Sequence, residues 1–460
     1  MKASAIVLAA GAGTRMKSRK PKVVHELLGK SIVRWVVDAA KDAGISSIVS
    51  VLGHERGQVI PLVEPDTHIV FQENRWGTGD AVSVCREAFE GKTGSVVVLS
   101  GDSPLITPET IRALIHTREE SQAAMVVLTM EAEDPTGYGR IVRDAQGGVE
   151  RIVEQKDCSP EEARITECNS GFYCFDIEKL FSVLTQVSNN NAQGEYYLTD
   201  VLEICRSTGY LALALKTDEP EECRGINSRV QLAEAAGYLQ RRINEAHLLS
   251  GVTMTDPSLV WIGPDVKIAS DVELLPLTFL LGTTTVGEGS IVGPNSRLTD
   301  TAVGCECVLD ETIAISAQID DRVDCGPRAY LRPGTHLCDG SKAGTHVEIK
   351  NSTVGIGSKV PHLSYIGDAA IGKDVNIGAG TITCNFDGEH KHKTVVGDSV
   401  FVGSDTMLVA PVTVGDNAVI GAGSTITCDV SAGALGLGRS RQVEIPDWKE
   451  HQSKKHGTDQ

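Results

Sequence analysis

Two glycines and two basic residues follow the first apolar segment of the chain. Ala5–Leu8 is a short apolar run, Gly11 and Gly13 come next, and Arg15 and Lys22 follow. Because glycine has no Cβ, backbone N–H groups at such positions approach an anion closely, and the two cations add positive charge beside them. This order favours a phosphate-binding loop, with an ordinary tight turn as the alternative. The spacing is neither Gly-x-Gly-x-x-Gly nor a Walker loop, which disfavours a plain dinucleotide fold and a P-loop ATPase.

The surrounding pattern predicts how such a loop is positioned. Segments typical of strands and of helices alternate up to about residue 225, which indicates an α/β fold with a parallel sheet. Ligands of such sheets bind beyond the carboxyl ends of the strands, where the Gly11 loop, Trp76–Gly79 and Ser100–Asp102 fall. The predicted strands are Ala5–Leu8, Ile48–Leu52, His68–Phe71, Val96–Ser100 and Ala124–Thr129, and the predicted helices include Ile32–Ala43 and Asp80–Phe89.

From about residue 260 the pattern changes to a period of six residues. An aliphatic residue recurs at every sixth position, glycine often follows it at once, and a small residue stands four positions on. This period is typical of a triangular β-solenoid with three hexads per coil, left-handed and commonly trimeric; a β-sandwich, the alternative, needs alternation and longer turns. The aliphatic residues are predicted to point inward and the small residues to form the corners. The most regular aliphatic series is Val396, Val402, Leu408, Val414, Ile420 and Ile426.

Two further segments bear on the organisation of the chain. The pattern of residues 228–249 predicts one long helix. Ser228 and Gln231 have the spacing of a capping box at its start, and Gly251 is expected to end it. The polar stretch 385–393 is too long for a corner of the solenoid. It is either a loop that reaches a neighbouring molecule or a solvated tip.

The composition excludes several classes of protein. The net charge of −18 argues against wrapping of nucleic acid, which needs a basic surface, but permits small phosphorylated substrates. No apolar run has the length of a transmembrane helix, and the run before the glycine loop is too short for a signal peptide. The 12 cysteines are scattered, and Cys305-x-Cys307 is a poor zinc signature. We expect a reduced, cytoplasmic protein that binds neither nucleic acid nor membranes.

The motifs together closely resemble those of the bifunctional GlmU family. The glycine motifs occur in many sugar nucleotidyltransferases, whereas their combination with the C-terminal motifs is specific, and the likeness covers nearly the whole chain. It rests on L-A-A-G-x-G-T-R-M with Pro21-Lys22, G-T-G at 77–79, Gly101-Asp102, D-P-T-G-Y-G-R at 134–140, N-N-A-Q-G-E-Y-Y-L-T-D at 190–200, the hexads, and N-I-G-A-G-T-I-T-C-N at 376–385.

The resemblance implies a fold and a pair of reactions. The fold is a Rossmann-like nucleotidyltransferase domain (1–227), a connector helix (228–250) and a left-handed parallel β-helix acetyltransferase domain with a C-terminal tail (251–460). The second domain would transfer an acetyl group from acetyl-CoA to glucosamine-1-phosphate. The first would then transfer a uridylyl group from UTP to N-acetylglucosamine-1-phosphate, releasing pyrophosphate. The product, UDP-N-acetylglucosamine, serves peptidoglycan and cell-wall synthesis, and the implied assembly is a homotrimer.

For the first domain the resemblance implies a site that depends on Mg²⁺. Asp102 and Asn227 match its metal ligands, and a hard cation suits their oxygen atoms. Arg15 and Lys22 match catalytic residues that bind the triphosphate and the leaving pyrophosphate. Other positions match substrate contacts: Leu8, Ala9, Ala10, Gly11 and Lys22 in the glycine loop, Gln72, Gly77 and Thr78 for uracil, Gly139, Glu154 and Asn169 for the amino sugar, and Asn227.

For the second domain the resemblance implies His362 as the general base. An ammonium group cannot attack a thioester, so a proton must leave, and a neutral imidazole is suited to accept it near pH 7. The remaining matches are substrate contacts: Arg332 and Lys350 for the sugar phosphate, Tyr365 and Asn376 for further parts of the substrate, and Ala379, Asn385, Phe386, Ser404, Ala422 and Arg439 for acetyl-CoA.

The chain departs from the family pattern in places. Phe386 stands where many relatives carry tyrosine, and Val360-Pro361 stands where some have small residues; both bear on acetyl-CoA affinity.

Two other functions stay open as alternatives. One alternative is a single-activity nucleotide-sugar pyrophosphorylase with a structural or regulatory β-helix. The other is a non-catalytic assembly protein, which would have no need of Arg15, Lys22, Asp102 and Asn227 together.

Overall fold

The computed structural model describes residues 3–11, 13–53, 55–450 and 452. The chain divides into two compact units, Met1–Gln240 and Arg241–Gln460. Ala12 of the predicted phosphate loop and most of the predicted tail lie outside the described residues. Within the described residues, every helix is too short or too polar to cross a membrane.

The first unit is built on one twisted sheet with helices around it. Its strands are β1 (Ala3–Ala9), β2 (Glu26–Leu27), β3 (Lys30–Ser31), β4 (Ser47–Leu52), β5 (His68–Phe71), β6 (Ser95–Ser100), β7 (Met125–Glu131), β8 (Arg140–Arg143), β9 (Val149–Val153), β10 (Glu167–Asp176) and β11 (Ala212–Lys216). Its helices are α1 (Ile32–Asp42), α2 (Ile60–Val63), α3 (Thr78–Ser83), α4 (Pro108–Ser121), α5 (Ile177–Val183) and α6 (Asp200–Ser207), and α7 (Arg229–Leu249) runs from this unit into the second. Short 3-10 turns lie at Thr14–Met16, Lys22–Val24, Arg56–Gln58, Arg86–Phe89, Glu162–Arg164, Leu184–Gln186 and Pro220–Cys223.

The order of the main sheet is β11-β7-β10-β6-β1-β4-β5. β1 pairs in parallel with β4 and β6, as the apolar runs predict. The expectation of a parallel sheet is wrong at β10, which runs antiparallel to β6 and β7 and also pairs with the β8–β9 hairpin. The predicted helix over Asp80–Phe89 is divided into α3 and the 3-10 turn Arg86–Phe89. Apolar side chains are buried on both faces of the sheet, so the loops at the strand ends rest on a packed core.

The long helix begins and ends as the sequence predicts. The Ser228 hydroxyl accepts a hydrogen bond from the Gln231 N–H at 3.2 Å, and the Gln231 side chain accepts one from the Asn227 N–H at 2.8 Å. Two otherwise unpaired N–H groups at the start of α7 are thereby satisfied. Asn227 is fixed in place by the same contacts.

The second unit is a coil of short strands in three parallel sheets. The first face holds Thr253–Met254, Glu273–Leu274, Ile291–Val292, Val308–Leu309, Asp324–Cys325, Lys342–Thr345, Lys359–His362, Asn376–Ile377, Phe401–Val402, Val419–Ile420 and Leu435–Gly436. The second face holds Val260–Ile262, Thr278–Leu281, Arg297–Thr299, Ile313–Ile315, Tyr330–Leu331, Glu348–Lys350, Tyr365–Gly367, Ile382–Cys384, Met407–Val409 and Thr425–Ile426. The third face holds Lys267–Ile268, Thr285–Val286, Ala302–Val303, Gln318–Ile319, His336–Leu337, Thr353–Val354, Ala369–Ile371, Thr394–Val396 and Val412–Val414, and a 3-10 turn lies at Pro257–Leu259.

The hexads form the interior of this coil. All six aliphatic residues of the most regular series are at most 5% exposed, which confirms that they point inward. The corner differs from the expectation in detail, because the left-handed residue stands one position before the small one. Asp405 has φ +58° and Thr406 is buried, where its hydroxyl donates to the Gly403 carbonyl at 2.7 Å. The small residue therefore satisfies the backbone inside the corner rather than turning the chain itself.

We name the corners by the faces they join. The first corner leads from the first face to the second, the second corner from the second face to the third, and the third corner from the third face back to the first.

Candidate active sites

Three side chains far apart in the sequence meet beyond the ends of β1 and β6. The Lys22 ammonium forms an ion pair with Asp102 and donates a hydrogen bond to the Asn227 amide oxygen at 2.8 Å. Lys22 is 8% exposed. The Asp102 carbonyl accepts the Ile226 N–H at 2.9 Å, which ties the two segments together. The Asp102 carboxylate and the Asn227 amide oxygen both face the place where the Lys22 ammonium lies. Two such oxygen ligands suit a hard divalent ion.

The glycine loop lies against this cluster. Gly13 has φ +63°, and a Cβ there would lie 2.4 Å from the Lys22 Cβ, so only glycine fits. The Gly101 N–H donates to the Leu8 carbonyl at 2.9 Å, which joins the ends of β1 and β6. Ala9 and Ala10 are buried at the end of β1, whereas Gly11 and Arg15 are exposed beyond it.

The predicted uracil contacts are held by a distant segment. Gly77 has φ +110°, and a Cβ there would lie 2.5 Å from the Tyr196 carbonyl oxygen. Tyr196 donates its N–H to the Trp76 carbonyl at 2.6 Å and accepts the Gly79 N–H at 2.8 Å. The Thr78 hydroxyl accepts the Leu198 N–H at 3.0 Å. Gln72 is buried and donates its amide N–H to the Gly77 carbonyl at 3.0 Å and to Asp80 at 2.7 Å.

The predicted sugar contacts form a second group in the same unit. Gly139 accepts the Asn169 N–H at 2.8 Å, and the buried Asn169 side chain donates to the Tyr173 hydroxyl at 2.7 Å. The Thr199 hydroxyl donates to Glu154 at 3.2 Å. Burial raises the pKa of the Glu154 carboxyl above its usual value, and the bond from Thr199 offsets this only in part. The segment 190–200 therefore contacts both the uracil group and the sugar group of residues.

In the second unit, His362 is the first residue of a file, a row with one residue on each successive coil, along the first corner. It ends a strand of the first face and is exposed. The register Lys359↔Asn376, continued by three residues, places Ala379 one coil beyond it. The next two pairings, from Asn376 to Phe401 to Val419, place Ser404 and Ala422 on the following coils. Glycines before these residues permit close stacking: a Cβ at Gly378 would lie 2.4 Å from the Ser404 nitrogen.

The other predicted residues of the β-helix lie around this file or beyond it. Asn376 is partly buried on the first face, and Arg439 is exposed in the segment that follows the last strand. Small residues on successive coils of one corner form a straight row, because coils repeat at about 4.8 Å along the axis. A row of this form leaves room beside it for a long, extended ligand.

Basic side chains gather at the second corner. Lys350 and Asp368 form an ion pair at 3.3 Å, and Arg332 pairs with Glu348 at 2.8 Å. Lys391, from the polar loop, lies close to Lys350, and this contact between two like-charged groups lowers the pKa of Lys391. Two ammonium groups held together create a local positive potential that favours an anion such as a phosphate.

Asp368 organises the second corner. Its carboxylate accepts hydrogen bonds from Asn351 at 2.6 Å and from Asn385. Burial would raise the pKa of Asp368, but the bonds from Asn351, Asn385 and Lys350 outweigh it and hold this pKa below its usual value. Asn385 is buried, and a Cβ at Gly367 would lie 2.4 Å from the Tyr365 hydroxyl and 2.8 Å from the Asn385 amide nitrogen, so both groups adjoin this glycine.

The loop 385–393 has an anchored base and an exposed tip. His392 donates its N–H to the Asn385 carbonyl at 2.8 Å, which closes the base. Phe386 is 59% exposed. The two interpretations of this loop, a contact with a neighbour and a solvated tip, are both compatible with that exposure.

Some residues that shape these sites have no local signal in the sequence. Lys391 lies within the polar loop, but its proximity to Lys350 depends on how that loop folds back. Arg140 is 2% exposed and donates to Gln155 at 2.7 Å and to the Tyr138 carbonyl, which holds the segment that ends at Gly139. Tyr196 acts through its backbone, which no residue-type pattern reveals.

Known proteins resemble this chain over nearly its whole length. A family model described as the MobA-like NTP transferase domain matches residues 5–158, and a model for the bacterial transferase hexapeptide (six repeats) matches residues 393–428. Bifunctional protein GlmU of Heliobacterium modesticaldum is 49% identical over 440 residues, which cover 96% of each chain. The protein of the same name from Caldanaerobacter subterraneus is 47% identical over 450 residues, or 98% of each chain, and that of Halalkalibacterium halodurans is 46% identical over 447 residues, or 97% of each chain.

A solved UDP-glucose pyrophosphorylase complexed with UDP-glucose aligns with 53% of this chain and all of its own, at 19% identity and a TM-score of 0.43. The two family models and the parallel sheets of the second unit confirm the predicted fold class, a Rossmann-like nucleotidyltransferase domain followed by a left-handed parallel β-helix of hexapeptide repeats. With relatives of 46–49% identity over almost the full length, the chain belongs to the family of bifunctional GlmU proteins.

Proposed function

We propose that the two units divide the synthesis of UDP-N-acetylglucosamine between them. The β-helix transfers an acetyl group from acetyl-CoA to the amine of glucosamine-1-phosphate. The first unit then transfers a uridylyl group from UTP to the N-acetylated product and releases pyrophosphate. The observation that carries the proposal is the meeting of Lys22, Asp102 and Asn227 at one point, in a family whose members also carry a hexapeptide domain. The connector between the two parts is the helix that follows Asn227.

Asp102 and Asn227 fit a divalent cation such as Mg²⁺, because both present oxygen atoms at the point where the Lys22 ammonium now lies. When bound there, the ion neutralises phosphate charge so that two anionic reactants approach each other. Lys22 and Arg15 hold the triphosphate, and their positive charge stabilises the pyrophosphate as it leaves. The backbone N–H groups of the glycine loop add donors at the same place.

The remaining residues of the first unit orient the two substrates. Gln72 and the Gly77–Thr78 segment hold the uracil ring, where an amide offers both a donor and an acceptor. Glu154, Asn169 and Gly139 hold the amino sugar. Because the segment 190–200 contacts both groups, it fixes the distance between nucleotide and sugar, and most of the rate gain comes from this positioning.

In the second unit, His362 accepts the proton that the substrate ammonium must lose before its nitrogen attacks the thioester. The file of Ala379, Ser404 and Ala422 holds acetyl-CoA along the first corner, with Asn376 beside it and Arg439 at its far end. Arg332, Lys350 and Lys391 hold the sugar phosphate at the second corner, with Tyr365 near it. Asn385 and Phe386, at the base of the polar loop, are further contacts of acetyl-CoA. The free amine then attacks the acetyl carbonyl carbon, the C–S bond breaks, and coenzyme A leaves as a thiol.

The position of these groups supports a homotrimer. His362 and Asp368 are separated by one face of the coil, six residues, or roughly 15–20 Å at about 3.3 Å per residue. The base and the phosphate-binding cations of one chain therefore lie at opposite edges of the second face. A first corner of one molecule set against the second corner of the next brings them together. Such a contact is heterologous, and when repeated around a three-fold axis it closes into the proposed homotrimer.

The proposal is tested by measuring both half-reactions on one preparation. His362→Ala is expected to lower acetyl transfer by about 10²- to 10⁴-fold and to leave uridylyl transfer unchanged. Asp102→Asn is expected to lower uridylyl transfer by about 100-fold or more, because the ion supplies several kcal/mol of charge stabilisation, and to leave acetyl transfer unchanged. Release of free thiol and of pyrophosphate are the readouts.

His116→Ala, an exposed histidine on α4, is the matched control and should leave both activities intact. Parallel loss of both activities in either variant contradicts separate sites. A wild-type protein that releases pyrophosphate but no thiol would instead be a single-activity pyrophosphorylase.

A further inference from the structure

Among the residues that the structure describes, one group of histidine, cysteine and acidic side chains brings three possible metal-ligand atoms within 4.8 Å of one another: Asp320, His336 and Cys338. The Nε2 atom of His336 lies 2.8 Å from Oδ2 of Asp320 and 3.9 Å from Sγ of Cys338. The same ring nitrogen therefore faces both the carboxylate and the thiol. Cys338 is a free cysteine.

The coil of the β-helix places these side chains together. Gln318 pairs with His336 and Ile319 with Leu337 on successive coils of the third face, and the Asp320 N–H donates to the Leu337 carbonyl at 2.8 Å. Ile319 and Leu337 are buried, at 1% and 0% exposure. Because side chains alternate along a strand, the residues beside them point outward. The backbone ladder thus fixes all three side chains on one outer surface.

The surroundings of the group suit a cation. The Gln318 amide donates to Oδ1 of Asp320 at 2.9 Å, which leaves Oδ2 directed at His336. A solvent-open groove of about 480 Å³ borders Asp320 and gives an ion and a water molecule access.

We propose that Asp320, His336 and Cys338 bind one Zn²⁺ ion, with water as the fourth ligand. Carboxylate, imidazole and thiolate together are a donor set for zinc, whereas Mg²⁺ and Ca²⁺ take oxygen ligands. Zinc bonds of about 2.0–2.3 Å in a tetrahedron put ligand atoms roughly 3.3–3.8 Å apart, so the observed spacings need only small side-chain rotations. The thiol proton passes to solvent when the ion binds.

The site lies at the third corner, whereas the acetyl-transfer residues lie at the first and second. Asp320 belongs to one coil and His336 and Cys338 to the next, so the ion joins adjacent coils and acts as a structural link. Its role is separate from both proposed reactions.

The competing interpretation is an ordinary surface ion pair between His336 and Asp320 with a thiol nearby. Such a pair contributes at most about 1 kcal/mol and has no preference for a metal. The two interpretations differ in one observable, a bond between the metal and the Cys338 sulfur.

Titration of the full-length protein with Co²⁺ tests the site, because cobalt replaces zinc in tetrahedral sites and a thiolate ligand gives an intense charge-transfer absorption. Excess Mg²⁺ is present throughout to occupy the Asp102–Asn227 site. We expect one equivalent of Co²⁺ to give this absorption and Zn²⁺ to abolish it by displacement. We also expect Zn²⁺ to raise the melting temperature.

Cys338→Ser and His336→Gln are each expected to weaken binding at least tenfold, whereas Cys428→Ser, at an exposed cysteine elsewhere on the β-helix, is expected to leave it unchanged. Gln318→Ala, which releases Asp320, is expected to weaken binding by about tenfold without removing the thiolate absorption. Absence of the absorption in the wild-type protein overturns the proposal. So does an unchanged absorption in Cys338→Ser.

Discussion

The residues of the two candidate sites differ in their solvent exposure. In the first unit, Lys22, Gln72 and Asn169 are 8%, 6% and 8% exposed within a single chain. In the β-helix, His362 is exposed and Phe386 is 59% exposed. The α/β unit has loops at the ends of its strands, which is where ligands of such sheets bind. The corners of the β-helix face outward, so a single β-helix cannot surround a substrate.

This difference implies that the two sites differ in how many chains form them. Under our proposal, the residues of the first site come from one chain, in which Lys22 contacts both Asp102 and Asn227. The proposed base and cations of the second site are separated by the width of one face, so a second copy would supply the missing half. Changes in the first unit should therefore act through internal packing, and changes in the β-helix through exposed charge and contacts between copies.

Among the changes that test this contrast in packing and exposed charge, the largest effect is expected from Gly77→Ala, which tests the dependence of the first site on internal packing. The new Cβ would lie 2.5 Å from the Tyr196 oxygen and 2.9 Å from its nitrogen, at a φ of +110°. Backbone strain and this clash together displace the uracil segment, and we expect uridylyl transfer to fall by about 100-fold. Acetyl transfer should be unchanged. Gly57→Ala, which meets nothing within 4 Å, is the matched control, and equal activity of the two variants contradicts the assignment.

A smaller effect is expected from Lys350→Met, which tests the role of exposed charge in the second site. Loss of a charge-assisted bond to phosphate costs about 1.5–3 kcal/mol, so KM for glucosamine-1-phosphate should rise by about 10- to 100-fold. KM for acetyl-CoA and the uridylyl reaction should not change. Lys359→Met removes an exposed lysine of the first face as a control. A rise in KM for acetyl-CoA instead would place the phosphate elsewhere.

The smallest effect concerns a carboxyl group at the start of α6. Burial, with the nearby charges of Glu203 and Asp157, raises the pKa of Asp200 to about 6. Because this pKa lies above that of the unfolded chain, the folded state binds the Asp200 proton more tightly than the unfolded state does. The free energy of unfolding therefore falls as pH rises from about 4 to 6. Asp200→Asn removes this cost.

Asp200→Asn should therefore stabilise the protein at pH 8 by about 1 kcal/mol, after allowance for partial exposure, and have little effect at pH 4. Melting curves at the two pH values measure this, with the exposed Asp218→Asn as the control. Equal shifts at both pH values would contradict the raised pKa of Asp200.

The sequence predicted the parts of this molecule that depend on local pattern. The series from Val396 to Ile426 identified the coil, and β1, β4, β5 and β6 lie where apolar runs predict them. β10 (Glu167–Asp176) is not among the predicted strands, because Asn169, Ser170 and Gly171 interrupt its apolar residues, and its antiparallel direction depends on contacts with distant strands.

Contacts between distant residues had no local signal. Lys22 meets Asp102 and Asn227 across 80 and 205 residues. The Asp320–His336–Cys338 group has no zinc-site spacing along the chain, because one turn of the coil brings its three side chains together. The resemblance to a known family supplied the roles of site residues, which residue types alone left open.

The most direct test of the contrast between the two sites is to mix variants within one assembly. His362→Ala and Lys350→Met chains, each impaired in acetyl transfer, are co-expressed with different tags, and the mixed assemblies are isolated. If the site is shared, one interface in three of each mixed trimer combines an intact base with intact cations, and acetyl transfer should reach about a third of the wild-type rate at low glucosamine-1-phosphate concentration. The same mixing of Asp102→Asn with Asn227→Ala should restore no uridylyl transfer. Mixed assemblies whose acetyl transfer equals the mean of the two parents would contradict a site shared between copies.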